Sequence, residues 1–139
     1  MMNDDELRQA LSLLDVYKAQ LEALAGQGQI LQMSLEETLR ARETMKAMLT
    51  AKDGDEILIP IGASSFVPAK AAGSGKAIVG IGNRMSVEKN LDEAVKFFDE
   101  GVNELSEALK KVGESINEME MNARNLSMAV QQEYQRRQQ

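Results

Sequence analysis

The sequence predicts a mainly α fold of the α+β class: a long antiparallel coiled-coil hairpin with two β-hairpins inserted at its bend. Three observations predict it. Two segments of nearly equal length carry apolar residues at alternating steps of three and four. The stretch between them holds both prolines and six of the ten glycines. Only five of the 139 residues are aromatic, too few for the ring-rich core of a compact globule.

The first helix is expected over residues 4–51. Stepping from Leu7 gives Leu7, Ala10, Leu14, Tyr17, Leu21, Leu24, Gly28, Leu31, Leu35, Thr38, Arg42, Met45 and Leu49, ten of thirteen apolar with no slip of phase. Asn3 with Glu6 three residues on is a helix-start signal, and Gly54 supplies a stop. A helix of about 44 residues at ~1.5 Å per residue is roughly 65 Å long, which suits a coiled coil and not a globular bundle.

The second helix is expected over residues 90–136, opened by Asn90 and Glu93. From Leu91 the same steps reach Val95, Phe98, Val102, Leu105, Leu109, Val112, Ile116, Met119, Ala123, Leu126, Val130 and Glu133, twelve of thirteen apolar. Folded back to back, the two stripes bring Leu7 near Val130 and Leu49 near Leu91. Gly26, Gly28, Gly101 and Gly113 interrupt the helices and mark a bend, a close approach or tolerated drift.

Residues 52–89 contain short alternating runs, Glu56–Ile61, Ser65–Ala69, Lys76–Ile81 and Arg84–Glu88, separated by turn-forming Gly, Ser and Asn. They predict two consecutive β-hairpins. Hairpins of this size are marginal alone, and Ile57, Ile59 and Ile61 oppose Leu58, so both faces of the first strand are apolar. Burial by equivalent hairpins of other subunits is the expected solution, and it also closes the strand edges. The whole chain, 1–139, is read as a single domain.

Composition narrows the function. A net charge of −6 argues against nucleic acid or an anionic membrane as partner. There is no His and no Cys, which removes the commonest general base and thiolate metal sites. No apolar run is long enough to span a membrane and Met1–Asp5 is acidic, so a cytoplasmic chain is expected. Gly73-Ser74-Gly75-Lys76 lacks the flanking residues of a phosphate-binding loop, with Lys70 and Ala77 in their places. Gly80-Ile81-Gly82 lacks the third glycine of a dinucleotide fingerprint, Met85 standing there. No catalytic constellation is found; a non-enzymatic chain without cofactor or metal is expected.

In the hairpin arrangement the outer ends of the helices carry apolar side chains off the main stripe. These are Met1, Met2, Leu11, Leu13 and Val16 on one helix, and Met121, Met128 and Ala129 on the other. Methionine is flexible and polarizable enough for irregular partners, so these residues suit an adaptable binding surface. Alternatively, Leu11, Leu13 and Val16 simply widen the core and the terminal methionines are disordered.

Two heptad helices flanking Glu56-Ile-Leu-Ile-Pro-Ile-Gly-Ala-Ser-Ser-Phe-Val-Pro-Ala, followed by Val79-Gly-Ile-Gly, resemble archaeal-type α subunits of the prefoldin family over essentially the whole chain. The linker with two hairpins is the discriminating part. The resemblance implies a hexamer of two α-type and four β-type subunits joined through their hairpins. It implies an ATP-independent holdase whose coiled-coil tips capture unfolded proteins and pass them to a group II chaperonin. On this chain, substrate contact then maps loosely to Met1, Met2, Leu7, Leu11, Leu13, Met121, Met128, Val130 and Tyr134. Assembly maps to Ile57, Ile59, Ile61, Phe66, Val67, Val79 and Ile81. The competing reading is a coiled-coil scaffold or adaptor that binds one folded partner.

Overall fold

The computed structural model describes residues 1–139. The element order is α1 (Asp4–Thr50), β1 (Glu56–Gly62), β2 (Ser65–Lys70), β3 (Lys76–Gly82), β4 (Met85–Asn90) and α2 (Leu91–Arg137). The chain is mainly α, with two helices of 47 residues and two antiparallel β-hairpins between them.

Local chemistry starts and stops α1 as expected. The Glu6 N–H donates to Asn3 Oδ1 at 2.8 Å, and Asn3 Nδ2 donates back to Glu6 Oε1 at 3.1 Å. This reciprocal pair satisfies a helix-start N–H that has no intrahelical partner. Past Thr50 the Lys52 N–H turns to Asp55 Oδ2 at 2.7 Å, and the Gly54 N–H donates to the Ala71 carbonyl at 2.8 Å. The chain leaving α1 is thereby tied to the chain leaving β2. The Gly73 N–H adds a bond to Asp53 Oδ1 at 3.0 Å.

The expected stripes are the buried ones. In α1 every position from Leu7 through Met45 on the three-four stepping is buried or half-buried; Leu49 alone is exposed, at 43%. In α2 all thirteen positions from Leu91 to Glu133 are buried or half-buried. Side chains at this spacing fall on one face of a helix.

The structure divides into two compact units. The first, residues 1–34 and 104–139, pairs the start of α1 with the end of α2 in antiparallel sense. Leu7, Ala10 and Val130 form its core cluster, with Met2, Leu14 and Leu126 against it. A Cβ placed on Gly28 would stand 3.6 Å from Val112 Cγ1, so the glycine sits where the facing helix comes close.

The second unit, residues 35–103, holds the end of α1, the four strands and the start of α2. Thr38 faces Gly101, and Arg42 Nη1 lies 3.4 Å from Asp99 Oδ1, again in antiparallel sense. The Phe97 and Phe98 rings meet edge to face at 5.5 Å, and Lys89 Nζ stands 5.7 Å from the Phe97 ring centre.

The two hairpins repeat one design. β1 pairs with β2 from Glu56↔Lys70 to Gly62↔Ser65, and β3 pairs with β4 from Lys76↔Asn90 to Gly82↔Met85, each with a bulge at the same place. Ala63 and Ser64 in one turn, Asn83 and Arg84 in the other, all have positive φ. That is the geometry of a two-residue turn whose twist matches its strands. Gly62 and Gly82 precede these turns at φ 98° and 104°, a region costly for any residue with a Cβ. Arg84, expected to open the fourth strand, therefore belongs to the turn, and β4 runs on to Asn90.

Candidate functional site

Two surfaces carry the functional reading. One is the strand region. In β1 and β2 the pairs Ile57↔Ala69 and Ile59↔Val67 share one face, while Leu58↔Pro68 and Pro60↔Phe66 share the other. Both faces are thus apolar. Leu58 is 65% exposed, and Ile59, Ile61, Phe66 and Val67 are exposed as well. The second hairpin repeats the pattern with a difference. Val79, opposite Val87, is fully buried, whereas Ile78 on the other face is 76% exposed. Each sheet has two strands only, so every strand keeps one unpaired edge. Of the residues expected at an assembly surface, Ile59, Ile61, Phe66, Val67 and Ile81 are exposed, Ile57 is half-buried and Val79 is buried.

The other surface lies at the paired ends of α1 and α2. Met1, Leu11, Leu13, Met121, Met128 and Tyr134 are exposed, and Met2 is half-buried against the core cluster. The structure sets Leu7 and Val130 apart from these, because they form the core that holds the two helix ends together. Leu11, Leu13 and Val16 stand in solvent and do not widen that core.

A charged clasp closes this end. Glu133 occupies the last position of the α2 stripe and is only 5% exposed. Its carboxylate accepts hydrogen bonds from Arg136 Nε at 3.1 Å and Nη2, from Arg137 Nε at 3.0 Å, and from the Met2 N–H at 3.3 Å. Arg137 reaches on to Asp4 Oδ1 at 2.8 Å and to the Met2 carbonyl at 3.1 Å. The hydrogen bonds of Arg136, then Arg137, hold the Glu133 carboxyl at about 2, against an ordinary value of 4.5 and against the opposing effect of burial. Both guanidinium groups are pushed up in return by Glu133. The arrangement also places the acidic first turn of α1 and the basic last turn of α2 where helix dipoles favour them.

Sequence reasoning did not find this clasp. Its signal was an acid on a core position followed by arginines three and four residues later, opposite an acidic first turn. It also passed over Ile30 and Met33, which are exposed at 67% and 69% on α1. No group of three or more His, Cys, Asp or Glu is placed to hold a metal ion. No helix is long and apolar enough to cross a membrane.

Residues 17–136 match the family model described as prefoldin subunit. Among curated relatives, a prefoldin subunit alpha of Methanococcus maripaludis is 35% identical over 102 residues, covering 73% of this chain and 69% of that relative. One from Pyrococcus horikoshii is 32% identical over 103 residues, covering 73% and 70%. Among solved structures, filamentous PFD from Methanocaldococcus jannaschii superposes with a TM-score of 0.67 at 23% identity, covering 88% of this chain and 98% of that one. The prefoldin beta subunit from a Thermococcus strain gives 0.60 at 18% identity, covering 95% and 96%.

Proposed function

The chain belongs to the prefoldin family as an archaeal-type α subunit, and from that premise we propose that it is the α component of an ATP-independent holdase. Its hairpins join those of β-type subunits in a hexamer of two α and four β chains. Its helix ends capture unfolded proteins and deliver them to a group II chaperonin in the cytoplasm. The chain performs no catalysis, and helices and hairpins act together as one domain.

The observation that carries this reading is the apolar character of both faces of the first hairpin. Side chains such as Leu58, Ile59 and Phe66 stand in solvent in the single chain. Burying what remains exposed of each is worth about 1–2 kcal/mol, and subunits with the same hairpin design are the partners of matching shape. Ile57, Ile61, Val67 and Ile81 complete the proposed assembly surface, with Val79 supporting it from beneath.

Capture falls to the exposed apolar residues at the helix ends, Met1, Leu11, Leu13, Met121, Met128 and Tyr134, with Met2 at their edge. Leu7 and Val130 support them from the core. Several weak apolar contacts on linked arms raise the effective affinity without a deep pocket. A net charge of −6 keeps the loaded complex soluble.

The test is to co-express the chain with a β-type subunit and follow aggregation of an unrelated protein diluted from denaturant. Suppression that disappears when residues 1–12 and 128–139 are removed, with assembly intact, supports the reading. Unchanged suppression defeats the assignment of capture to the helix ends.

A further inference from the structure

Both prolines of the chain stand in the first hairpin, Pro60 on β1 and Pro68 on β2. Where their missing N–H groups would point follows from the ladder. The Gly54 N–H donates to the Ala71 carbonyl and the Ala71 N–H to the Asp55 carbonyl, so the backbone groups of Ala71 face into the hairpin. Such groups alternate between the two sides of a strand. Ala69 and Val67 therefore bond to β1, while Phe66, Pro68 and Lys70 turn their backbone groups outward. Their partners Pro60, Leu58 and Glu56 do the same on β1. Each open edge thus has one of its three outward donors removed by a proline.

The second hairpin repeats this register twenty residues on, and its edges are complete. The Leu91 N–H donates to the Gly75 carbonyl. By the same alternation Lys76, Ile78 and Gly80 turn outward on β3, and Ser86, Glu88 and Asn90 on β4. All six keep their N–H, with Gly80 and Glu88 in the places of Pro60 and Pro68. The faces differ as well. The first hairpin is apolar on both. The second has one covered face, with Val79 buried and Val87 half-buried, and one wet face, where Lys76 Nζ meets Glu88 Oε1 at 3.2 Å. One packed and one solvated face is the pattern of an ordinary antiparallel sheet, and nothing on the backbone of this one stops a further strand. A proline at an outward position confines its strand to an edge.

We propose, resting on the assembly reading above, that a strand of a β-type subunit adds to the second hairpin along its open edges, and that Pro60 and Pro68 close the first hairpin to such addition. The first hairpin then joins through its apolar faces. This division has a physical reason. A hairpin apolar on both faces with bare edges is a template for stacking and pairing with its own copies, and a proline on each edge removes that hazard. The second hairpin, with its charged face, can leave its edges open. A second copy fits β4 poorly, because two β4 strands in full antiparallel overlap set Glu88 against Glu88.

Full-length Gly80→Pro and Glu88→Pro chains copy the prolines of the first hairpin into the second. Neither removes a bond inside the hairpin. A Cβ on Gly80 meets nothing within 4 Å, and its φ lies outside the left-handed region. Slow exchange at the inward amides of Val79 and Val87 verifies that the hairpin stands. Each variant should weaken association with a β-type subunit by roughly tenfold or more. Glu88→Gln, which removes only the ion pair, should leave that association unchanged. Pro60→Val combined with Pro68→Val should also leave it unchanged, and should make the chain alone self-associate in sedimentation. Native association indifferent to both added prolines overturns the proposal and leaves the assembly reading standing. A native chain that never associates with a β-type subunit removes both. Weaker self-association in Glu88→Pro, with β-type binding intact, gives the edge to a second copy and likewise overturns the proposal.

Discussion

The peptide N–H of Met2 donates to the carboxylate of Glu133, 3.3 Å away and 131 positions distant in sequence. With the arginines that follow Glu133, this contact fastens the start of one helix to the end of the other. The exposed apolar residues proposed to capture clients stand around a fixed end and not on two fraying helices.

Removing the carboxylate charge should loosen that end. In Glu133→Gln the two guanidinium groups lose their shared acceptor, and the Met2 N–H loses its charge-assisted bond. Amide exchange should accelerate at Leu7 to Leu14 and at Leu126 to Val130, with amides near Thr38 and Gly101 unaffected. Uniform protection across both helices would show that the clasp carries no weight.

The clasp also predicts a pH dependence with a definite sign. The folded-state carboxyl titrates at about 2 and the ordinary group at 4.5. Its contribution is fully present above 4.5 and is lost as pH falls from there through about 2. The difference in melting temperature between the native chain and Glu133→Gln should be constant above 4.5 and shrink below it. A difference that grows on acidification contradicts the assignment.

Two glycines should respond in opposite directions. Gly28→Ala places its Cβ at ordinary contact distance from Val112 and removes a helix-interior glycine, so it should stabilise by up to about 1 kcal/mol. Gly82→Ala forces a Cβ into φ 104° and should destabilise the second hairpin by roughly 1–2 kcal/mol. Thermal melts of the two variants give the comparison.

Assembly should fail before folding does when a hairpin is made polar. Ile59→Asp removes an exposed apolar side chain, so the isolated chain keeps its helix content. Ile59 is 46% exposed in the single chain, so roughly 1 kcal/mol of further burial is lost at the interface. Association with β-type subunits weakens by about fivefold or more once the carboxylate must also be covered. Size-exclusion chromatography with light scattering reads the shift directly.

The helices were legible because their signal is local and repeated. The apolar stripe residues from Leu7 to Met45 and from Leu91 to Val130 report the same phase, and the lapses at Gly28, Thr38 and Arg42 are corrected by their neighbours. Leu49 departed from it where the chain turns toward the loop tied to Ala71. Arg84 was misplaced because a two-residue turn demands positive φ at two successive positions, and arginine gives no hint of that. Glu133 looked like a lapse in the stripe because its partners are two arginines past the end of the stripe and the backbone of Met2, 131 positions away. Ile30 and Met33 were passed over because the buried stripe already accounted for α1, and a second face does not alter the phase of the first.

Whether the strands are completed by other subunits is read by amide exchange in β1 to β4 before and after a β-type prefoldin subunit is added. Fast exchange is expected along the unpaired strand edges in the isolated chain, and strong protection there once the subunits mix. Edges already protected in the isolated chain, or unchanged by the partner, would contradict it.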